Sequence, residues 1–237
     1  MNWIGKVALI TGASRGIGAA VAEALGSAGA HVILAARTGA DLEQVEDRIH
    51  AAGGTATIAP VDLTEGESIA RLAAAVGGRW PALDILVLNA ATLGTLTPVA
   101  DIDGKEFNRV LTLNLLANQA LIAAFDPLLR RSDAGRLVAL TSSVGRSPRA
   151  FWGAYGASKA ALDALVAAYA AEVANVSAIK ALIVDPGATA TTMRARAFPG
   201  EDPATIKQPA EVARALLETL DRDFATGHRL EVRTLPM

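Results

Sequence analysis

The chain has 237 residues, about half of them apolar (51%), with a formal net charge of −2 and a pI near 5.9. That length suits one large core in a single domain spanning residues 1–237, and the mild acidity, with no polybasic stretch, excludes the basic footprint of a nucleic-acid surface. The absence of cysteine excludes disulfides, thiolate metal sites and cysteine nucleophiles and fits a reducing compartment, while the dispersed His31, His50 and His228 offer no metal cluster.

Short runs rich in Val, Ile and Leu recur at Val7–Thr11, His31–Ala36, Thr55–Val61, Ile85–Asn89, Arg136–Thr141 and Lys180–Asp185. Each is bounded by Gly, Pro, Asp or Ser, and they read as strands buried on both faces. Alanine-rich segments with helical spacing alternate with them at Ile17–Ala28, Asp41–Ala52, Glu67–Val76, Asp103–Leu129 and Gly153–Val173. The alternation requires right-handed crossovers and predicts an α/β, doubly wound, Rossmann-type parallel sheet with helices on both faces, to which Arg229–Val232 adds a seventh strand. The first strand already begins near Lys6, so no presequence is expected, and Asp84, Asp163, Glu172 and Lys180 interrupt the apolar stretches well short of a bilayer span. A soluble cytoplasmic protein is the expectation. Thr191–Gln208, turn-rich through Phe198-Pro-Gly-Glu-Asp-Pro203, breaks the alternation and marks a candidate active-site lid over about residues 188–209.

Gly12, Gly16 and Gly18 fall between the first strand and first helix. Glycine there permits a tight turn, close approach of backbone to a diphosphate and close helix–sheet packing, with the helix N-terminus facing the anion. Ser14, Arg15 and Ile17 belong to the same expected cofactor loop. At the end of the second strand, Arg37-Thr38 stand where a site selecting an unphosphorylated ribose would carry an acidic residue. Arg37 and Arg15 can instead grip a 2′-phosphate, which favours NADP(H), with NAD(H) as the alternative and solvated surface arginines as the plainer reading. After the third strand, Asp62, followed by Leu63, is placed to accept a hydrogen bond from an adenine amino group or to serve as a cap or turn residue.

Tyr155 and Lys159 stand four residues apart on a predicted helix and so share a face. A cation beside a phenol favours the phenolate, at about 1.4 kcal/mol per pH unit. Such tuning makes a tyrosine usable as an acid or base near neutrality.

Gly12, Gly16 and Gly18, then Asn89-Ala90, Asn114, Ser142, Tyr155, Lys159 and Pro186-Gly187, in this order on this fold, resemble the short-chain dehydrogenase/reductase family from Lys6 to about Leu220. Ser142 precedes Tyr155 by thirteen residues at the end of the fifth strand, which is the family's spacing. The resemblance implies that Ser142 hydrogen-bonds the substrate carbonyl or hydroxyl and that Tyr155 gives or takes its proton. It implies too that Lys159 lowers the tyrosine pKa and contacts the nicotinamide ribose, and that Asn114 holds a water linking Lys159 to solvent. Positioned donors suit the alkoxide charge that develops on hydride transfer, and the cofactor supplies the hydride. Pro186-Gly187, with the Ala188 backbone and the Thr191 hydroxyl, resembles the segment that closes on the nicotinamide carboxamide and diphosphate.

Two positions depart from the family. Its usual Asn-Asn-Ala-Gly after the fourth strand reads Leu88-Asn89-Ala90-Ala91, which leaves cofactor contact to the Asn89 and Ala90 backbone and packing near the adenosine ribose to Ala91. Leu182 occupies a sixth-strand position where many relatives carry asparagine. The segment from Met193 to Pro203 resembles a less common bacterial subgroup more than the acyl-carrier-protein ketoreductases.

Leu93, Val144, Arg146, Ala150, Phe151 and Trp152 are candidate substrate walls, and the two aromatics favour a partly apolar or aromatic substrate or pack against the lid or a partner subunit. Arg194 and Arg196 either meet an acidic substrate or are solvated lid charges. In relatives the helices matching Asp103–Leu129 and Gly153–Val173 pair across a twofold axis, so the resemblance implies a homodimer or homotetramer. The leading expectation is an NADP(H)-dependent oxidoreductase acting on a small-molecule carbonyl/alcohol pair. The alternatives are its NAD(H)-dependent form and a catalytically idle dinucleotide-binding regulator, against which the intact set Asn114, Ser142, Tyr155 and Lys159 speaks.

Overall fold

A computed structural model describes residues 3–232, so residues 1–2 and 233–237 of the expected domain lie outside the described residues. Seven strands, β1 (Val7–Thr11), β2 (His31–Ala36), β3 (Thr55–Pro60), β4 (Ile85–Leu88), β5 (Arg136–Leu140), β6 (Lys180–Asp185) and β7 (His228–Glu231), form one sheet. Every pairing is parallel, in the order β3-β2-β1-β4-β5-β6-β7. The helices are α1 (Gly16–Ser27), α2 (Gly39–Ala51), α3 (Ser68–Arg79), α4 (Gly104–Leu111), α5 (Ala117–Leu129), α6 (Gly153–Val173), α7 (Thr192–Ala197) and α8 (Pro209–Leu220).

Side chains alternate across a strand. Val7 and Leu9 of β1 therefore pack into the layer with α3, α5 and α6, and Ala8 and Ile10 into the layer with α1, α2 and α8. Burial on both faces, at roughly 25 cal/mol for each Å² of apolar surface, is why the central strands read as unbroken apolar runs. The edge strand β3 departs from that expectation. With a neighbour on one side only, it leaves all six side chains partly or fully exposed.

The segment expected as one helix over Asp103–Leu129 is α4, a π-helical turn at Thr112–Leu116, and α5. A π turn inserts one residue and shifts which side chains face inward. Asn114 lies in it, fully buried. Two helices lie outside the expected set: α7, within the segment expected as a lid, and α8. The start of α8 carries a reciprocal capping box between Gln208 and Glu211 and a proline in the first turn. Leu182, inside β6, is fully buried, so its departure from asparagine strands no polar group. The chain leaves β1 for β2 on one side and meets β4 on the other, and this reversal opens a crevice at the carboxyl ends of the strands. No helix among the described residues is long and apolar enough to cross a membrane.

Candidate active site and cofactor cleft

The crevice is a cleft of about 460 Å³. Its floor is the turn from β1 into α1, where Gly12 (φ +64°) and Gly16 (φ +59°) adopt left-handed backbone. Gly18 has a different task. A Cβ there would lie 2.3 Å from the Gly12 carbonyl oxygen and 2.5 Å from Asn89 Nδ2, so Gly18 packs behind the turn and does not line the cleft. Asn89 Nδ2 donates to the carbonyls of Thr11 (2.9 Å) and Gly12 (3.1 Å), bracing the turn from β4. The Thr11 hydroxyl donates to Val87 O and accepts from the backbone N–H groups of Asn89 (3.0 Å) and Ala90 (3.1 Å). Those two N–H groups, expected among the cofactor contacts, are thus taken internally, although Asn89, Ala90 and Ala91 all line the cleft. Thr11 escaped the sequence reading; its one trace was a hydroxyl closing an apolar run.

The first turn of α1 has no side-chain cap at Arg15, so its N–H groups and the helix dipole favour an anion in the cleft. Ser14, Arg15, Gly16 and Ile17 line this end. Arg37, Thr38, Asp62 and Leu63 line the far wall, and neither Arg15 nor Arg37 makes an ion pair among the described residues. Asp62 acts as a turn residue: its Oδ1 accepts from Thr64 Oγ1 (2.7 Å) and N (2.9 Å). Those bonds, with the charge of Arg37, hold its carboxyl below the usual range. A left-handed glycine turn, an uncapped helix start and two guanidiniums with no ion pair among the described residues fit a dinucleotide diphosphate with a further phosphate.

At the other end stand Ser142, directly after β5, and Tyr155 and Lys159 on α6. Burial pushes the Tyr155 phenol up, Asp185 adds to that, and a hydrogen bond with Ser142 works the other way. Lys159 is 2% exposed; burial pulls its pKa down to about 8, opposed by Asp163. Its Nζ donates to Leu140 O at 2.7 Å and sits 5.8 Å from the Tyr155 ring centroid. In this arrangement the ammonium is drawn to a backbone carbonyl, and desolvation is the largest influence on the phenol.

Asn114 lies off the cleft surface. Its side chain accepts from Thr92 N (2.8 Å) and donates to Thr92 O (2.9 Å) and Ser158 Oγ (3.0 Å), while its carbonyl accepts from Asn118 Nδ2 (2.8 Å). It staples the loop after β4 to α6, and the buried Asn118 is a partner the sequence did not suggest.

Pro186, Gly187 and Thr191 line the cleft, whereas Ala188 does not. Thr191 Oγ1 accepts from Arg194 N at 3.1 Å, capping α7, which leaves its own proton to donate. The two ends of the segment expected as a lid meet where Ala190 N donates to Lys207 O at 2.8 Å. Lys207, also missed, is buried with its Nζ against Gly187; burial lowers its pKa, and Asp185 and Glu211 oppose that. A lone polar residue in a turn-rich segment carries no sequence signal for this.

Of the expected walls, Leu93 and Trp152 line the cleft, joined by Met193 and Ala197 of α7, and Val144 packs behind Tyr155. Arg146 pairs instead with Glu231 at 3.1 Å, and Ala150 and Phe151 are exposed outside the lining. Arg194 is partly exposed and bound by Glu201 at both Nε (2.6 Å) and Nη2 (2.5 Å), and Arg196 is exposed.

The sequence profile of the family described as short chain dehydrogenase matches residues 6–202. The chain belongs to that family and is an NAD(P)-dependent oxidoreductase. It is similar to the uncharacterized oxidoreductase YciK of Escherichia coli K12, 38% identical over 210 residues that cover 87% of this chain and 82% of YciK. A short chain dehydrogenase structure from Pseudomonas syringae superposes with a TM-score of 0.94 at 38% identity, covering 98% of this chain and 96% of that one. Another, from Escherichia coli CFT073 and complexed with NADPH, has a TM-score of 0.93 at 36% identity, with 98% of each chain covered.

Proposed function

We propose that the chain is an NADP(H)-dependent enzyme interconverting a carbonyl and an alcohol in a small molecule, working as one catalytic unit with a lid over about residues 188–209. The observation that carries this reading is the placement of Ser142, Tyr155 and Lys159 at one end of a cleft whose other end bears the glycine turn and the unpaired Arg15 and Arg37. The NADPH held by the related Escherichia coli CFT073 protein supports the cofactor choice. When bound, that cofactor supplies or accepts the hydride. Residues Gly12 to Ile17 hold a diphosphate on the start of α1, and Arg15 and Arg37 grip a 2′-phosphate. Ser142 donates to the substrate oxygen, and Tyr155 delivers or removes the proton there, offsetting the alkoxide charge. Lys159 binds ribose hydroxyls in place of Leu140 O and keeps a cation beside Tyr155. The enzyme is proposed to be cytoplasmic and to form a homodimer or homotetramer through the α5 and α6 faces.

The test is a fluorescence titration with NADPH and NADH, followed by NADPH oxidation against ketones, aldehydes and quinones. Tyr155→Phe is expected to lower turnover by about 10²- to 10⁴-fold while leaving NADPH affinity within a few-fold. Arg37→Asp is expected to weaken NADPH far more than NADH. Turnover retained in the first variant removes Tyr155 from the mechanism, and equal losses in the second contradict a 2′-phosphate contact.

A further inference from the structure

We infer that the substrate is an electrically neutral carbonyl compound bearing a flat apolar group, and that Trp152 selects it; this rests on the oxidoreductase reading above. The charged side chains lining the reacting end of the cleft, among the described residues, are Lys159 and Arg194. Lys159 donates to Leu140 O and, in the reading above, turns to the cofactor ribose when NADP(H) is bound. The guanidinium of Arg194 is held by both oxygens of Glu201 and stacks 3.7 Å over the Phe198 ring centroid. Its charge is compensated and one of its planar faces is covered. A substrate carboxylate entering beside the lid would shed water and meet a guanidinium already neutralised by Glu201, which a desolvated ion tolerates poorly.

Beside the hydroxyls of Thr189, Thr191 and Thr192, the lid side of the cleft carries an apolar patch of Met193 and Ala197 against Trp152. The stack continues from Phe198 to Trp152 (centroids 5.8 Å apart) and from Trp152, edge-on, to Tyr155 (6.0 Å). Around this column Met193 and Ala197 of α7 pack with Leu93, Leu96 and Val144. Aromatic faces at these separations favour another flat ring. Trp152 is also held by its backbone: it forms a β-bridge with Thr97, Thr97 N donates to Phe151 O at 3.1 Å, and Phe151 adopts φ +72°, a strained value for a bulky residue. A wall fixed in this way is a pre-organised specificity determinant.

The experiment compares an aryl methyl ketone with its para-carboxylate analogue and with acetone, in two readouts: kcat/KM with NADPH, and binding to the protein by saturation-transfer NMR with and without NADPH. The neutral aryl ketone is expected to exceed the carboxylate by about 100-fold in kcat/KM, with the same order in binding. Trp152→Ala is expected to cut the preference for aryl ketone over acetone about tenfold at unchanged NADPH affinity. Glu201→Gln, which leaves the Arg194 charge uncompensated, is expected to raise use of the carboxylate relative to the neutral ketone about tenfold. Equal or tighter binding of the carboxylate by the parent overturns the inference, as does binding of neither aryl ligand or a Glu201→Gln variant with unchanged preference. Because the binding arm needs neither turnover nor cofactor, it is read independently of whether Tyr155 and NADPH act as proposed.

Discussion

Lys159 keeps an ammonium where water barely reaches. In the unfolded chain its pKa is near the ordinary 10.5, and in the fold burial brings it to about 8. Between those pH values the unfolded state holds more protons than the folded one. Stability therefore rises as pH climbs from 8 toward 10.5, and on the way down the loss is complete by about pH 8, below which both states are protonated. At about 1.4 kcal/mol per pH unit the effect is on the order of 3 kcal/mol. Lys159→Met lacks this titration, so the thermal midpoint of the parent minus that of the variant is expected to move in the parent's favour between pH 7 and 10. A flat difference across that range would mean that burial does not depress this lysine. Asp163, one turn further along α6, opposes the depression and is itself clamped by Arg229 Nη2 at 2.7 Å. The Tyr155–Lys159 pairing was legible in the sequence because four-residue spacing is a property of the helix itself. The Leu140 carbonyl, nineteen residues away on β5, was not.

At the scale of elements, α1 and β4 lock the glycine turn between them. Gly18 is the contact point, since a Cβ there would meet a backbone oxygen that cannot swing aside. Gly18→Ala is expected to cost about 1–3 kcal/mol and to weaken NADPH binding, read by urea unfolding and fluorescence titration. Gly78→Ala in α3 is the opposite case. Its added methyl meets nothing within 4 Å, and removing glycine from a helix stabilises by about 0.5–1 kcal/mol. If Gly18→Ala proves neutral, the close packing of α1 on the β1 turn is wrong. The strand runs and most helices were visible as local periodicity. The π turn at Thr112–Leu116 was not, because it lies within a continuous helical pattern and is marked by where Asn114 must point.

Across the whole molecule, Trp3 joins the segment before β1 to the end of α8. It is 3% exposed, packs in the layer formed by α1, α2 and α8, and donates its Nε1 to Asp221 Oδ1 at 3.0 Å. Trp3→Ala is expected to cost about 3–5 kcal/mol in equilibrium unfolding, and Trp3→Phe, which keeps most of the packing and loses the hydrogen bond, about 1 kcal/mol. A loss below about 1 kcal/mol for Trp3→Ala would show that this contact does not contribute to the global transition.

The amino-acid sequence by itself determined the alternation of strand and helix, the parallel sheet, the glycine turn and the shared face of Tyr155 and Lys159. Each is written within a few residues, in periodicity, steric freedom or helical spacing. Tertiary structure alone decided that Thr11 takes the N–H groups of Asn89 and Ala90, that Lys207 lies beneath Gly187, and that β3 is an edge. It decided as well that Arg194 is spent on Glu201 and Phe198 around α7. Those partners meet only after the crossovers and the segment after β6 have packed against the sheet, and no local pattern in the chain specifies which polar group will find which.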